Sequence, residues 1–215
     1  MIGDVIDKNQ LNFGAAHELL HFFKQFTEFP KLVVAVAGES GSGKTHMSIA
    51  IQVALKEFGR TSLILHMDDF YKLPPKQNHQ NRLLSMSNVG PHEVDLSRIQ
   101  NLLSDFKTSA STLSAPIIDY YKNSIDKANY NVADVDVLII EGTYAFYLEH
   151  VDFYLYMSRN YKETKELRAL RNRGNEVNDP FVEKVLEKEH ALVTAKKSKA
   201  NAWIDYDFNL QYDGQ

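Results

Sequence analysis

The hydrophobic residues of this chain form continuous runs of the length of a β-strand. Four such runs occupy residues 31–37, 61–67, 135–142 and 151–157, and a last strand is predicted within 203–212, around Phe208 to Leu210. The run at 135–142 is apolar throughout most of its length, which indicates burial on both faces as in a parallel sheet. The pattern therefore predicts five strands in a mostly parallel sheet.

Segments with helical patterns alternate with these strands. They cover residues 11–29, 47–58, 96–106, a stretch from 161 onward, and 181–199. Pro30 ends the first segment, and Asp95 is predicted to cap the third. The polar stretch 73–91, which is rich in proline and amide side chains, is predicted as a long loop. The alternation predicts one α/β domain over 1–215, with an N-terminal helical extension (1–30) and a lid region (about 159–180).

A glycine-rich segment lies directly between the first strand and the helix at 47–58. It matches the pattern G-x-x-x-x-G-K-[ST] at every fixed position and reads Gly38, Glu39, Ser40, Gly41, Ser42, Gly43, Lys44, Thr45. Glycines permit close backbone approach, so that successive N–H groups hold phosphate oxygens at the start of the helix. Lys44 would reach the β- and γ-phosphates, and the Thr45 hydroxyl would bind Mg²⁺. A glycine-rich turn with an exposed lysine is the alternative, but the flanking strand and helix favour a nucleoside triphosphate site.

This motif, in its strand and helix context, predicts a P-loop NTPase fold. We expect three layers, α/β/α, around the mostly parallel five-stranded sheet, together with a helical lid. In such a sheet, ligands bind outside the carboxyl ends of the strands.

Carboxylates lie at the carboxyl ends of two predicted strands. Asp68 and Asp69 follow the second strand, and Glu141 is near the end of the third. Because side chains alternate along a strand, only one of the two aspartates is expected to face the γ-phosphate. The alternatives are that an aspartate is a loop or cap residue, and that Glu141 pairs with a lysine. A P-loop enzyme needs an acidic group here to contact Mg²⁺ directly or through water.

Arginines cluster in the helix predicted from residue 161. Arg168 and Arg171 share a helical face, and Arg173 precedes Gly174. Guanidinium groups can bind phosphate bidentately, so these arginines suit a phosphate site. The alternative is that they belong to a solvated helix surface. The glycine after this run indicates a hinged lid.

Composition narrows the class of protein. A net charge of -4 gives no indication of a nucleic-acid polymer as partner, and no apolar run approaches the length of a membrane span. Asp4 and Asp7 stand where a signal peptide would be basic, and cysteine is absent, which is compatible with a reducing cytoplasm. A cytoplasmic enzyme is therefore expected. The sequence leaves open whether it forms a homo-oligomer.

Several motifs in order give the chain a family resemblance. They are G-E-S-G-S-G-K-T, M-D-D-F-Y-K, P-H-E-V-D, P-I-I-D-Y-Y-K-N-S, I-I-E-G-T-Y-A-F and R-A-L-R-N-R-G. The chain resembles the uridine kinase and phosphoribulokinase-like group of P-loop kinases, most of all the uridine kinases, from about residue 31 to 210. This resemblance implies transfer of the γ-phosphate of ATP or GTP, with Mg²⁺, to a hydroxyl of a small molecule.

The resemblance also implies roles for individual residues. Asp68 would be the catalytic base and a neighbour of the metal, Thr45 and Glu141 would complete the Mg²⁺ environment, and Lys44 would act in catalysis. Arg168 and Arg173 would be lid arginines. The residues implied to contact the acceptor are Asp68, Tyr71, Tyr120, Asn123 and Arg168.

The acceptor half of the chain departs from the uridine kinase pattern. Those kinases typically carry Asn-Phe-Asp-His-Pro, whereas Asn88-Val89-Gly90 precedes Pro91 here without an aspartate. Ile118 and Asn123 stand where a tyrosine and a histidine near uracil are typical. Tyr120 and its neighbour Tyr121 either stack on a planar base or cover a hairpin.

Three function classes follow from the sequence. The first is a kinase of a nucleoside or of another small metabolite, such as a sugar phosphate or a pantothenate-like acceptor. A GTPase switch would need a guanine-reading N-K-x-D element, and none is found. A regulatory ATP-binding protein without transfer activity is the third class, and the intact Lys44, Thr45, Asp68 and Glu141 argue against it.

Overall fold

A computed structural model describes residues 11, 13–23, 31–169 and 179–213 of the chain. The predicted helices and strands occur in the predicted order, together with a helix at 75–84 and a pair of strands between 112 and 131. The helices are α1 (Phe13–Phe23), α2 (Lys44–Glu57), α3 (Pro75–Leu84), α4 (Leu96–Lys107), α5 (Lys165–Ala169) and α6 (Pro180–Thr194). The strands are β1 (Leu32–Gly38), β2 (Ser62–His66), β3 (Thr112–Asp119), β4 (Ser124–Asn131), β5 (Val137–Gly142), β6 (Phe153–Met157), β7 (Ala202–Ile204) and β8 (Leu210–Gln211).

The central sheet has six strands in the order β2-β5-β1-β6-β7-β8. Strands β2, β5, β1, β6 and β7 are parallel, and β8 pairs antiparallel with β7. The prediction of five strands was therefore wrong by one. The stretch 203–212, predicted as a single strand, folds back on itself at Asp205, whose carboxylate accepts the backbone N–H groups of Asp207 and Asn209.

Two hydrophobic cores lie on opposite faces of the sheet, which gives the three layers. On one face, Val34 and Val36 share a core with α1 and α2. On the other, Val33 and Ala35 share a core with α4, the β3–β4 hairpin and the end of α6. Strand β1 is buried on both faces and lies inside the sheet, with neighbours on each side. The loop that follows it therefore lies near the middle of the carboxyl edge of the sheet.

Three other segments differ from the sequence prediction. The stretch 73–91 is not only a loop, because α3 occupies its middle and begins with Pro75 at its first turn. Strand β2 ends at His66, and Met67–Phe70 form a 3-10 turn instead of continuing the strand. The predicted helix 11–29 is described as α1, and residues 12 and 24–29 lie outside the described residues. The cap at Asp95 is confirmed, since its carboxylate accepts the N–H of Arg98 at 3.1 Å.

Within residues 11, 13–23, 31–169 and 179–213, every helix is too short or too polar to cross a membrane.

Candidate active site

The glycine-rich loop lies between the end of β1 and the start of α2. Gly41 and Gly43 have φ angles of 82° and 94°, in the left-handed region that side chains disfavour. Gly43 occupies the N-cap position of α2, so the first N–H groups of this helix have no side-chain cap there. The Nζ of Lys44 donates to the carbonyl of Glu39 at 2.9 Å, across the mouth of the loop. Uncapped helix N–H groups and a lysine together form a cradle for phosphate.

The first part of the predicted lid packs against this loop. The hydroxyl of Thr164 donates to the carbonyl of Ser40 at 2.9 Å. A Cβ added to Gly41 would lie 2.9 Å from the Cγ of Arg168 and from the Cβ of Thr164. Arg168 is 2% exposed, its Nη2 donates to the carbonyl of Tyr161 at 2.8 Å, and its buried Nε has no partner among the described residues. The predicted lid arginine is therefore held beside the phosphate loop. Arg171, Arg173 and Gly174 lie outside the described residues.

Substitution of Gly41 by alanine tests this packing. Alanine at a left-handed position costs about 1–2 kcal/mol. The added contacts at 2.9 Å involve atoms close to the backbone of Arg168 and Thr164, so we expect a further loss of about 1–3 kcal/mol from overpacking. We expect a lower Tm and weaker ATP binding, measured by thermal unfolding with and without nucleotide.

Gly59→Ala is the matched control, because Gly59 also has a left-handed φ, of 72°, but a Cβ there meets no atom within 4 Å. Equal losses of stability in the two variants would contradict the proposed contact of the lid with the loop.

The buried carboxylate of Glu39 connects the loop to two other segments. It accepts the N–H of Tyr161 at 2.7 Å, and its other oxygen lies 2.6 Å from Nδ1 of His190 on α6. Glu39 is 1% exposed, so these contacts compensate for burial of its charge. The variable second position of the motif is therefore a structural anchor of the phosphate loop.

Glu141 brings together side chains from three elements at the carboxyl edge of the sheet. Its Oε1 accepts the Thr45 hydroxyl at 3.1 Å and lies 2.7 Å from Nδ1 of His66, the residue opposite it on β2. Burial by itself would raise the pKa of Glu141, but the hydrogen bonds of His66 and Thr45 and the charges of His66 and Lys44 hold it below its ordinary value. The carboxylate is therefore ionised, and with the Thr45 hydroxyl it presents oxygen ligands of the kind that Mg²⁺ prefers.

The two adjacent aspartates have different surroundings. Asp69 is buried, and its Oδ1 accepts the N–H of Ile118 at 2.8 Å, which ties the β3–β4 hairpin to the 3-10 turn. Asp68 is only partly buried, and its negative charge raises the pKa values of Tyr71 and Glu189. The side chain of Met67, directly before it, fills the space that a Cβ on Gly142 would need. The 3-10 turn that carries Asp68 is thus packed against the end of β5.

The remaining predicted acceptor residues lie around the hairpin and α3. The hydroxyl of Tyr71 accepts a hydrogen bond from Nη2 of Arg82 at 3.3 Å. The side chain of Asn123 accepts the N–H of Lys76 and donates to Gln77, both at 2.8 Å, and so anchors the start of α3. Tyr120 is partly buried at the hairpin turn. Contact of these three residues with an acceptor stays a prediction.

Sequence reasoning missed several residues of this region. They are His66, Arg82, Glu93, Tyr144, Glu189 and His190, all of which contact or electrostatically influence the residues above. A weak signal existed for Glu93, which belongs to the P-H-E-V-D motif. The others come from separate segments, and no local pattern marks them.

The chain was compared with known proteins. It is 25% identical over 189 residues to the bifunctional alpha-galactosidase/sucrose kinase AgaSK of Mediterraneibacter gnavus, covering 82% of this chain and 20% of that protein. It is 34% identical over 117 residues to a uridine kinase of Ureaplasma urealyticum, covering 54% of this chain and 55% of that enzyme. The chain thus spans about a fifth and about half of the lengths of these two relatives.

The fold was also compared with solved structures. The D-glycerate 3-kinase from Cryptococcus neoformans superposes with a TM-score of 0.58 at 17% identity, over 85% of this chain and 88% of that one. At this identity the likeness shows the fold alone. The family model described as Phosphoribulokinase / Uridine kinase family matches residues 33–200, most of the chain. With its phosphate loop, edge carboxylates and parallel sheet, the chain belongs to the phosphoribulokinase and uridine kinase family.

Proposed function

We propose that this chain is a kinase that transfers the γ-phosphate of ATP, or of GTP, to a hydroxyl group of a small molecule. The observation that carries the proposal is the contact of Thr45, at the start of α2, with the ionised Glu141 at the end of β5. This contact joins the phosphate loop to a carboxylate at the sheet edge, where phosphoryl transfer needs both.

The residues present suit the triphosphate and its metal. The glycine backbone of the loop and the N-terminus of α2 would bind the phosphates, and Lys44 would turn from the Glu39 carbonyl to the β- and γ-phosphate oxygens. Thr45, Glu141 and Asp68 would hold Mg²⁺, directly or through water. Bound Mg²⁺ supplies positive charge that neutralises the transferred group.

Asp68 would act as the general base toward the acceptor hydroxyl. It lies on the 3-10 turn that packs against the end of β5, and its neighbour Asp69 is the aspartate whose Oδ1 accepts the N–H of Ile118 in the hairpin. Asp68 would accept the proton as the acceptor oxygen attacks the γ-phosphorus, and Lys44 would stabilise the developing charge. Arg168 and Arg173 would add positive charge to the phosphate site.

The relatives favour a kinase but differ in the acceptor that their names give. These names include sucrose, uridine and D-glycerate kinases. A nucleoside is therefore one candidate and another small metabolite is a second. The absence of cysteine suits the reducing cytoplasm, where ATP is available, and we propose that location.

Acceptor-dependent release of ADP from Mg-ATP tests the proposal. The panel contains uridine, cytidine, other nucleosides, free sugars, pantothenate, D-glycerate and pentose phosphates, and the Asp68→Asn variant is the control. We expect one class of acceptor to stimulate ADP release in the native chain and not in the variant. ATP binding without stimulation by any acceptor would instead support a regulatory protein.

A further inference from the structure

A network of buried charged groups lies within electrostatic reach of Asp68. Arg82 of α3 donates through Nε and Nη2 to the two oxygens of Glu93, at 2.5 and 3.0 Å. Its Nη2 also donates to Glu189 of α6 at 3.2 Å. Glu93 and Glu189 are 5% and 6% exposed. Three segments that are distant in the sequence therefore meet around one guanidinium group.

Glu93 fixes the orientation of Arg82 and is itself fully engaged. Besides the two bonds from Arg82, its oxygens accept the side-chain amide of Asn78 at 3.1 Å and the N–H of Gly90 at 2.8 Å. A carboxylate with four donors is well compensated for its burial. Its role is to hold the guanidinium in one position.

Glu189 is less well compensated than Glu93. One of its oxygens accepts Arg82, and the other accepts no hydrogen bond from the described part of the chain. Burial raises the pKa of Glu189, the charge of Arg82 lowers it, and the charges of Glu93 and Asp68 raise it further. The charge of Lys44 also lowers the pKa of Glu189. This carboxyl therefore lies within electrostatic reach of both the predicted base, Asp68, and the phosphate loop.

A second polar group beside the network is buried without a partner. The hydroxyl of Tyr144, a side chain that is 1% exposed, has no hydrogen-bond partner among the described residues. Burial raises the pKa of Tyr144, and the charges of Glu189 and Glu93 raise it further, so the hydroxyl lies close to the same carboxylates. A buried hydroxyl without a partner is unfavourable, and a hydroxyl group of a ligand would satisfy it.

Among the described residues, carboxyl groups outnumber basic groups around Glu189. Asp68, Glu93 and Glu189 supply three carboxyl groups, and Arg82 is the guanidinium that faces them. Lys44 belongs to the phosphate loop. An acceptor that carried a phosphate or carboxylate would bring another negative charge against the carboxyl groups of Asp68 and Glu189, and like charges brought together in a buried site repel each other.

We propose that Arg82, Glu189 and Tyr144 line the acceptor site and select an uncharged polyhydroxylated acceptor over phosphorylated or carboxylated ones. The inference rests on the proposed kinase function and deepens it. Hydroxyl groups donate to the free oxygen of Glu189 and to Tyr144, and accept from Arg82, without adding charge. Free sugars and the ribose of nucleosides share this chemistry.

Matched pairs of acceptors test the selection. Acceptor-dependent ADP release is measured for fructose against fructose 1-phosphate and fructose 6-phosphate, glycerol against D-glycerate, pantothenol against pantothenate, and uridine against uridine 3′-monophosphate, so that each primary hydroxyl of the neutral member stays free in at least one anionic partner. The neutral member of the productive pair is expected to have the higher kcat/KM by at least about tenfold. Separate measurements with free sugars and with nucleosides show which of these two classes of acceptor the chain phosphorylates.

The outcomes separate this inference from the proposed function. Preference for an anionic member overturns the inference and leaves the kinase function in place. Failure of every acceptor, while Mg-ATP still binds, overturns both.

Glu189→Gln tests the residue itself. Glutamine keeps an oxygen for the bond from Arg82 and cannot carry a negative charge. The preference for the neutral over the anionic acceptor is expected to fall about tenfold, with the KM for ATP unchanged. Glu187→Gln makes the same chemical change at an exposed position of the same helix and is expected to leave the preference as it is. An unchanged preference in Glu189→Gln would overturn the role of this carboxylate.

Discussion

Replacing Asp68 by asparagine is expected to lower kcat by about 10³-fold, within the range that a general base contributes. Asparagine has nearly the same shape but cannot accept the proton of the acceptor hydroxyl at neutral pH. The N–H of Ile118 that anchors the hairpin is bonded to Asp69, so this anchor is kept in the Asp68→Asn variant. Steady-state kinetics with the productive acceptor, together with the Tm, measures both effects.

The neighbouring residue gives a control for this experiment. Asp69→Asn makes the same change one position away, and the asparagine oxygen can still accept the N–H of Ile118. Its activity should stay close to that of the native chain. If Asp69→Asn abolished activity and Asp68→Asn did not, the assignment of the base to Asp68 would be wrong.

Replacing Lys44 by alanine has the second-largest expected effect. Removal of one charged donor from the phosphate site is expected to lower kcat by about 10²–10³-fold and to weaken ATP binding. The bond from Lys44 to the Glu39 carbonyl would also be lost, but that carbonyl still accepts the N–H of Ser42 at 3.2 Å. ATP binding is measured by titration calorimetry and turnover by ADP release.

A lysine elsewhere on the same helix provides the matched comparison. Lys56 is exposed in the last turn of α2, so Lys56→Ala removes the same charge from the helix without touching the phosphate loop. Native activity in Lys44→Ala would show that the loop does not act on the phosphates. An equal loss in both variants would indicate a general effect of helix charge.

The sequence by itself determined the phosphate-binding half of the candidate site. A buried apolar run, a glycine motif and the following helix are contiguous, and their geometry depends on local backbone freedom and hydrophobic periodicity. The position of Glu141 near the end of a buried strand follows from the same local pattern. For this reason the strands β1, β2, β5 and β6, the cap at Asp95 and the α/β class could be predicted. The predicted lid includes residues 170–178, which lie outside the described residues.

Local sequence patterns were less informative where a segment can adopt two local structures of similar energy. The polar stretch 73–91 was predicted as a loop, yet α3 forms there because Pro75 suits a first helical turn and Glu93 anchors Asn78 and Arg82. The short pairing of β8 with β7 depends on a turn around Asp205, which a run of polar residues does not specify. The number of strands predicted for the central sheet was therefore one too low.

Only the tertiary structure decided which aspartate is bonded to the hairpin and which charges surround the proposed acceptor site. Asp68 and Asp69 are neighbours of one residue type, and the N–H of Ile118, 49 positions along the chain from Asp69, distinguishes them. Glu189 lies 107 positions from Arg82, and they meet because α3 and α6 converge beside the same edge of the sheet. The proposed electrostatic selection of an acceptor depends on distances between such remote groups, which only the folded chain sets and no single segment encodes.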